Sequence, residues 1–137
     1  MAGSSLACAL SGAYLGPIPS GQPGRVMAPP RTASSFAQLY AEIDGVDGAI
    51  LADASLLGGL LIAAAGASGL TQVGTPVVRA RPGGGVSAVI FLEIGHIAAH
   101  TVPDRSLIAV HAIMPRQDEA KRAIDVFARR FGATAHR

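Results

Sequence analysis

Three histidines carry most of the chemistry that this sequence offers. His96 and His100 lie four residues apart, and His111 falls on what the pattern indicates is the next strand. Imidazole titrates near neutral pH, so each ring could act as a general acid or base. Residues four apart in one strand share a face, and three imidazoles meeting there could bind a metal ion with an open position. A structural hydrogen-bonding role is the plainer alternative for each of them.

An aspartate and a run of glycines lie on either side of His96 and His100 in the sequence. Asp104 follows Pro103 in a predicted turn, where aspartate often serves only local hydrogen bonds. The glycines at 83–85 precede no P-loop lysine and open no helix, so they indicate a flexible loop and not a phosphate site.

The elements that must position these residues follow from the hydrophobic pattern. Asp47 is a plausible cap before the first helix, and Gly69 follows its end. Pro76 indicates a bulge or an edge position in the strand that contains it. The order is β-α-β-β-β-α, which predicts an α/β fold, a two-layer α/β sandwich. The predicted strands are residues 36–43, 71–81, 87–97 and 107–114, and the predicted helices are residues 49–67 and 117–131.

The first 33 residues differ in composition from the rest of the chain. They are rich in Ala, Gly, Pro and Ser and show no period, which predicts a flexible tail before one domain at residues 34–137. The start has no basic segment, so we expect no secretory signal. The apolar run Leu56–Ala67 is too short and too rich in glycine to span a bilayer, so no membrane is expected as a partner. The single cysteine, Cys8, fits a cytoplasmic protein.

The composition argues against one class of partner and for another. The formal charge is only +2, aromatic residues make up 4% of the chain, and the C-terminal arginines alternate with acidic residues. A nucleic-acid-binding surface is therefore not expected, and a solvated helix face explains the arginines. The charged fraction of 15% is low, which indicates a sheltered surface such as an interface between subunits.

The segment Gly85–Asp104 resembles the signature of the small prokaryotic S-adenosylmethionine decarboxylases. Their pattern runs G-V-S-G, an apolar strand, then E-S-H-L-x-I-H-T-W-P-E. The resemblance implies their two-layer α/β sandwich over about residues 36–131. It also implies that Ser87 and His100 match residues that assist self-cleavage in the family, and that Asp104 stands for a carboxylate that holds the substrate ribose. The matching residues are Gly85, Val86, Ser87, His96, His100, Thr101 and Pro103.

The departures from the family pattern concern its chemistry. Gly95 stands where the family has the serine that becomes the pyruvoyl cofactor, and Ile94 replaces the preceding glutamate. Pro115 replaces a cysteine that is a proton donor, Val102 replaces the tryptophan, and His111 replaces an aspartate. Glycine has no hydroxyl with which to attack its own backbone. We therefore expect no self-processing and no pyruvoyl cofactor.

The resemblance and the departures together lead to three hypotheses. The first is a lyase-type enzyme that binds S-adenosylmethionine or a related nucleoside and performs elimination or cyclisation at the sulfonium. His100 would be its base, assisted by Ser87 and His96, and Asp104, Gly95 and Val102 would line the substrate site. The second is a non-catalytic paralogue that binds an active decarboxylase of polyamine biosynthesis. The third is a metal-dependent enzyme using His96, His100 and His111. Family members assemble as dimers, so a homodimer or higher homo-oligomer is expected.

Overall fold

A computed structural model describes residues 6–11 and 35–132. The described chain forms one antiparallel six-stranded sheet in the order β1-β2-β6-β5-β4-β3, with its helices on one face. The predicted two-layer α/β sandwich is therefore confirmed. The strands are β1 (Leu6–Ser11), β2 (Ala37–Ile43), β3 (Gln72–Ala80), β4 (Val86–Leu92), β5 (His96–Val102) and β6 (Leu107–Met114), and the helices are α1 (Gly48–Leu51), α2 (Ala54–Ser68) and α3 (Gln117–Arg130).

The core lies between the sheet and the two long helices. Alternate residues of each central strand point under the helices, as period-two side-chain alternation requires. In β6, Ile108, Val110, Ala112 and Met114 are fully buried, while the residues between them are partly exposed. The opposite face of the sheet is left without a helical cover in the part of the chain that the structure describes.

The first predicted helix is two helices. Asp47 caps α1 by accepting a hydrogen bond from the Ala49 backbone N–H at 3.0 Å, as predicted. Asp53 then caps α2 by accepting from the Leu56 N–H at 3.0 Å. A second capping aspartate inside the apolar stretch ends one helix and begins the next, since its carboxylate bonds the orphan N–H groups of a new first turn. The predicted end at Gly69 is confirmed, with φ of 90°.

The last helix agrees with its prediction in extent and orientation. It runs over Gln117–Arg130, within one residue of the predicted end. Its apolar stripe is buried against α2 and the sheet, and comprises Ala120, Ala123, Ile124, Phe127 and Ala128. At its start the Arg116 backbone N–H donates to Glu119 Oε1 at 3.0 Å, which satisfies one backbone donor before the first turn.

The predicted strand 87–97 is wrong, because the structure divides it into β4 and β5. The chain reverses between Leu92 and His96, and the Leu92 N–H donates to the Gly95 carbonyl at 3.0 Å. Gly95 has a φ of 101°, which suits glycine and makes the tight reversal possible. β5 then runs through Val102, beyond the start of the predicted 101–105 turn, and only the 3-10 helix Pro103–Arg105 corresponds to that turn.

The first and third strands bear on two predictions. Within the predicted tail, Leu6–Ser11 forms strand β1, which pairs antiparallel with β2. The remainder of that predicted tail lies outside the described residues. Pro76 was predicted to mark an edge or a bulge, and β3 is an edge strand whose register shifts between Val73 and Val77.

None of the described helices is both long enough and apolar enough to cross a bilayer.

Candidate functional site

The candidate site lies on the face of the sheet that the helices leave uncovered. We call this surface the open face. Its side chains fall into rows that cross the strands. One row runs through Arg79, Ser87, His100, Ala109 and Glu42, since each is the register partner of the next. The other two rows are Val77, Val89, Ala98, His111 and Tyr40, and Val73, Phe91, His96, Ile113 and Gln38.

Ser87 and His100, both predicted as catalytic, are in direct contact. They face each other across β4 and β5, with Ser87 Oγ 2.8 Å from His100 Nδ1. Arg81 joins them, because its Nη1 donates to Ser87 Oγ at 2.8 Å and its Nη2 donates to the Thr101 carbonyl. The three side chains form one hydrogen-bonded chain of a cation, a hydroxyl and an imidazole. Such an arrangement can hold or pass a proton.

His96, also predicted as catalytic, lies at the other end of β5. It precedes His100 by four positions, a distance of about 13 Å along the strand. Its ring centroid is 6.3 Å from that of His111, in an edge arrangement. His111 Nε2 is 2.8 Å from Gln38 Oε1. The predicted catalytic set is thus divided between two places on the open face.

The placement does not support the alternative of a three-histidine metal site. His96 and His100 do share a face, and His111 does lie on the neighbouring strand, as expected. His100, however, lies one row from His111 and two rows from His96, and its ring contacts Ser87. Among the residues that the structure describes, no three His, Cys, Asp or Glu side chains come together as a metal site would need.

The partial burial of His111 makes the stability of the fold depend on pH. Burial, with a smaller contribution from the charge of His96, lowers the pKa of His111 from its ordinary 6.5. The unfolded chain therefore takes up this proton at a higher pH than the folded chain does. The His111 contribution to stability is fully present above about pH 6.5 and decreases as the pH falls toward the lowered pKa.

We expect the free energy of unfolding to fall less between about pH 7 and pH 5 when His111 is replaced by glutamine. Glutamine keeps a polar group near Gln38 but cannot be protonated in this range. Urea unfolding followed by circular dichroism at several pH values measures the slope. Equal slopes for the wild type and His111→Gln would contradict the assignment.

The residues predicted to hold a ribose lie at the Ser87–His100 end of β5. Val102 points to the same face as His100, two residues further along the strand, and is half-buried. Asp104 follows in the 3-10 helix Pro103–Arg105 and is exposed. An exposed carboxylate beside an apolar side chain can accept hydrogen bonds from vicinal hydroxyls. His100, Val102 and Asp104 are therefore brought to one end of the sheet.

Gly95, the other predicted substrate-site residue, lies in the β4–β5 reversal at the far end. A Cβ added there would overlap the Ile113 carbonyl oxygen and would lie 3.1 Å from the Ile113 carbonyl carbon and 3.3 Å from Met114 Cα. Its φ of 101° is also unfavourable for a residue with a side chain. Position 95 in this backbone excludes the side chain of a serine unless β6 or the reversal moves.

Sequence reasoning missed Arg81, which organises the Ser87–His100 pair. The loop after β3 returns the chain so closely that the Arg81 N–H donates to the Gly85 carbonyl at 2.7 Å. A Cβ on Gly85 would overlap the Arg81 guanidinium and lie 2.7 Å from the Thr101 carbonyl oxygen. The available signal was the combination of a Pro-Gly-Gly-Gly turn with an arginine immediately before it.

Comparison with known proteins places this geometry in a family. The family model for S-adenosylmethionine decarboxylase matches residues 37–137. The chain belongs to the S-adenosylmethionine decarboxylase family. The solved adenosylmethionine decarboxylase of Aquifex aeolicus VF5 is similar in fold to this family member, with a TM-score of 0.65 and 23% identity over 73% of this chain and 82% of that one. A comparison with curated proteins finds no match.

Proposed function

We propose that this family member binds S-adenosylmethionine or a related nucleoside on the open face and acts on it without a pyruvoyl group. The observation that carries the proposal is a contrast between the two ends of β5. At one end of β5 the Ser87–His100 pair is within hydrogen-bonding distance at 2.8 Å. At the other end, Gly95 has neither the hydroxyl nor the space for a serine side chain.

A pyruvoyl group does not fit the residues of this chain. In the family resemblance it forms from a serine at the position of Gly95, which lacks the hydroxyl needed to attack the preceding carbonyl. The backbone at Gly95 is directed so that a side chain would meet the Ile113 carbonyl. The position of the family cysteine holds Pro115, which has no ionisable group. We therefore derive no step through a pyruvoyl group.

Chemistry at the sulfonium of the ligand requires fewer protein groups. In an elimination, a base takes a proton from carbon, the C–S bond breaks, and its electron pair stays on sulfur as a neutral thioether. In a cyclisation, a nucleophile of the ligand displaces the same thioether. Because the leaving group is already activated, positioning and one proton acceptor suffice. The Ser87–His100 pair supplies the acceptor, and Asp104 holds the ribose.

The open face also supports the expectation of a homodimer. Three large apolar side chains are exposed on it: Phe91 (49%), Val73 (53%) and Val77 (39%). Covering such side chains stabilises a complex, because it removes apolar surface from water. A second copy laid on this face would cover them and enclose the ligand. The same surface favours, as a second candidate function, a non-catalytic subunit that docks on an active decarboxylase.

Calorimetric titration of the purified chain with S-adenosylmethionine tests the proposal. We expect saturable binding, and we expect Asp104→Asn to weaken it roughly tenfold, because the amide is a poorer acceptor for two hydroxyl hydrogens. The control is Asp125→Asn, which removes a carboxylate whose ion pair, among the residues that the structure describes, is with Lys121 on α3. Absence of binding by the wild type, or equal affinities of the two variants, would contradict the proposal.

A further inference from the structure

We propose that Arg81 is a positioning residue that fixes the direction of the Ser87–His100 hydrogen bond. In this arrangement the serine donates and the imidazole accepts. His100 then has an unprotonated Nδ1 toward Ser87 and a protonated Nε2 toward the open face. The direction of the bond is independent of the proposed function, whereas its consequence for a ligand rests on that function.

The first step of the argument is the donor inventory at Ser87 Oγ. A guanidinium has N–H donors and no acceptor, so Arg81 Nη1, 2.8 Å from Ser87 Oγ, donates to it. His100 Nδ1 lies 2.8 Å from the same oxygen. The serine has one hydroxyl hydrogen, and within residues 35–132 these two nitrogens are the only hydrogen-bond partners of its side chain. Arg81 cannot accept that hydrogen, whereas the imidazole can.

The second step is the charge of the guanidinium. If His100 donated from Nδ1, the serine oxygen would accept twice and its own hydrogen would have no acceptor among the described residues. Because the positively charged guanidinium only donates, the imidazole is the one acceptor among the described residues for the serine hydrogen. The arrangement with Ser87 donating to Nδ1 satisfies all three groups and adds no charge.

The third step is the rigidity of Arg81. Its second amino group donates to the Thr101 carbonyl, and its backbone N–H donates to the Gly85 carbonyl at 2.7 Å. The guanidinium fills the space beside Gly85, where a Cβ would lie 2.8 Å from Arg81 Cζ. A planar fork held at two acceptors loses little freedom for each hydrogen bond it makes. Arg79, two residues earlier, is exposed, and in the described part of the chain its guanidinium donates to the Val78 carbonyl at 3.0 Å and does not contact Ser87.

The consequence for a bound ligand is a division of roles between the two ring nitrogens. His100 is exposed, and its Nε2 has no hydrogen-bond partner in the described part of the chain. A protonated Nε2 donates a hydrogen bond to an anionic oxygen such as a carboxylate. A proton taken from a ligand must instead reach Nδ1 through Ser87: Ser87 Oγ gains the ligand proton as its own hydroxyl proton passes to His100.

Imidazole nitrogen resonances of the full ¹⁵N-labelled chain measure the tautomer directly. The His100 signals are assigned by their loss in His100→Gln. We expect the wild type to show His100 with a protonated Nε2 and an unprotonated Nδ1 at a pH where the ring is neutral. Arg81→Met and Ser87→Ala should each convert this single tautomer into a mixture. Arg81→Lys, which keeps a donor, should retain it, and Arg79→Met is the matched control that should leave it unchanged.

Two outcomes would overturn the inference. One is a protonated Nδ1 in the wild type, which would reverse the bond and needs no variant to be seen. The other is a failure of Arg81→Met to differ from its controls. It would be seen as a single unchanged tautomer in Arg81→Met, or as an equal mixture in Arg79→Met and Arg81→Met. Either result would show that Arg81 has no specific role. If Arg81→Met does not fold, the wild-type tautomer together with its retention in Arg81→Lys and loss in Ser87→Ala decides. None of these readouts depends on S-adenosylmethionine.

Discussion

Replacing Gly95 by serine is expected to lower the free energy of unfolding by about 2 to 5 kcal/mol and to leave the chain uncut. The left-handed backbone, with φ of 101°, costs a residue with a side chain about 1 to 2 kcal/mol. Forcing a side chain against the Ile113 carbonyl adds an overpacking cost of about 1 to 3 kcal/mol. Chemical unfolding gives the stability, and intact-mass spectrometry gives the state of the chain.

The absence of cleavage follows from the same geometry. Self-cleavage requires the serine oxygen to reach the carbonyl of the preceding residue, Ile94. In this reversal the direction that a side chain would take is occupied by the backbone of β6. Restoring the hydroxyl alone therefore does not restore the approach, even though Ser87 and His100 keep their contact at 2.8 Å.

Gly84→Ser is the matched control for this experiment. Gly84 has a φ of 97°, close to that of Gly95, but apart from its own chain neighbours no described residue comes within 4 Å of a Cβ built there. It should lose only the backbone cost of about 1 to 2 kcal/mol. A split chain in Gly95→Ser, or equal stability losses in the two variants, would contradict our account of position 95.

Thr101→Val is expected to destabilise the fold by about 2 to 6 kcal/mol. Thr101 is 1% exposed, and its hydroxyl donates to the Leu51 carbonyl at 2.8 Å while accepting from the Val86 N–H at 2.9 Å. Valine keeps the shape of the side chain but leaves both backbone groups without this partner. Each buried polar group left unsatisfied costs about 1 to 3 kcal/mol.

The control for Thr101→Val is the same substitution at an exposed strand position. Thr75 lies in β3 and is exposed, so Thr75→Val should change the free energy of unfolding by no more than about 0.5 kcal/mol. Both changes are measured from urea unfolding curves. A loss below about 1 kcal/mol in Thr101→Val would show that the hydroxyl does not link α1, β4 and β5 as we describe.

Much of the fold could be predicted because its elements bury one face each. The strand at Leu107–Met114 and the apolar stripe of α3 could both be recognised from the residue pattern, although which residues of the strand are buried could not. The β4–β5 reversal was not visible, because the apolar run Val89–Leu92 resumes at Ile94 after the single charged residue Glu93, and only Gly95 then marks a break. Ile94 is in fact 44% exposed at the reversal, which hydrophobicity does not reveal.

The candidate site was predictable only where family resemblance supplied a residue. Ser87 and His100 were identified in this way, and cross-strand register brings them into contact. His96 was grouped with them because sequence spacing does not reveal which neighbours the register provides. Arg81 was missed because its role depends on the three-dimensional return of the loop to Gly85. The carbonyl of Ile113 against Gly95 is likewise a contact between strands far apart in sequence.

The most direct test of the central claim is mass spectrometry of the purified chain before and after incubation with S-adenosylmethionine labelled in its carboxyl group. Our account expects one uncut chain, no labelled carbon dioxide, and a new adenosine-containing product that is not the decarboxylated compound. A chain split before Gly95, or release of labelled carbon dioxide, would contradict it.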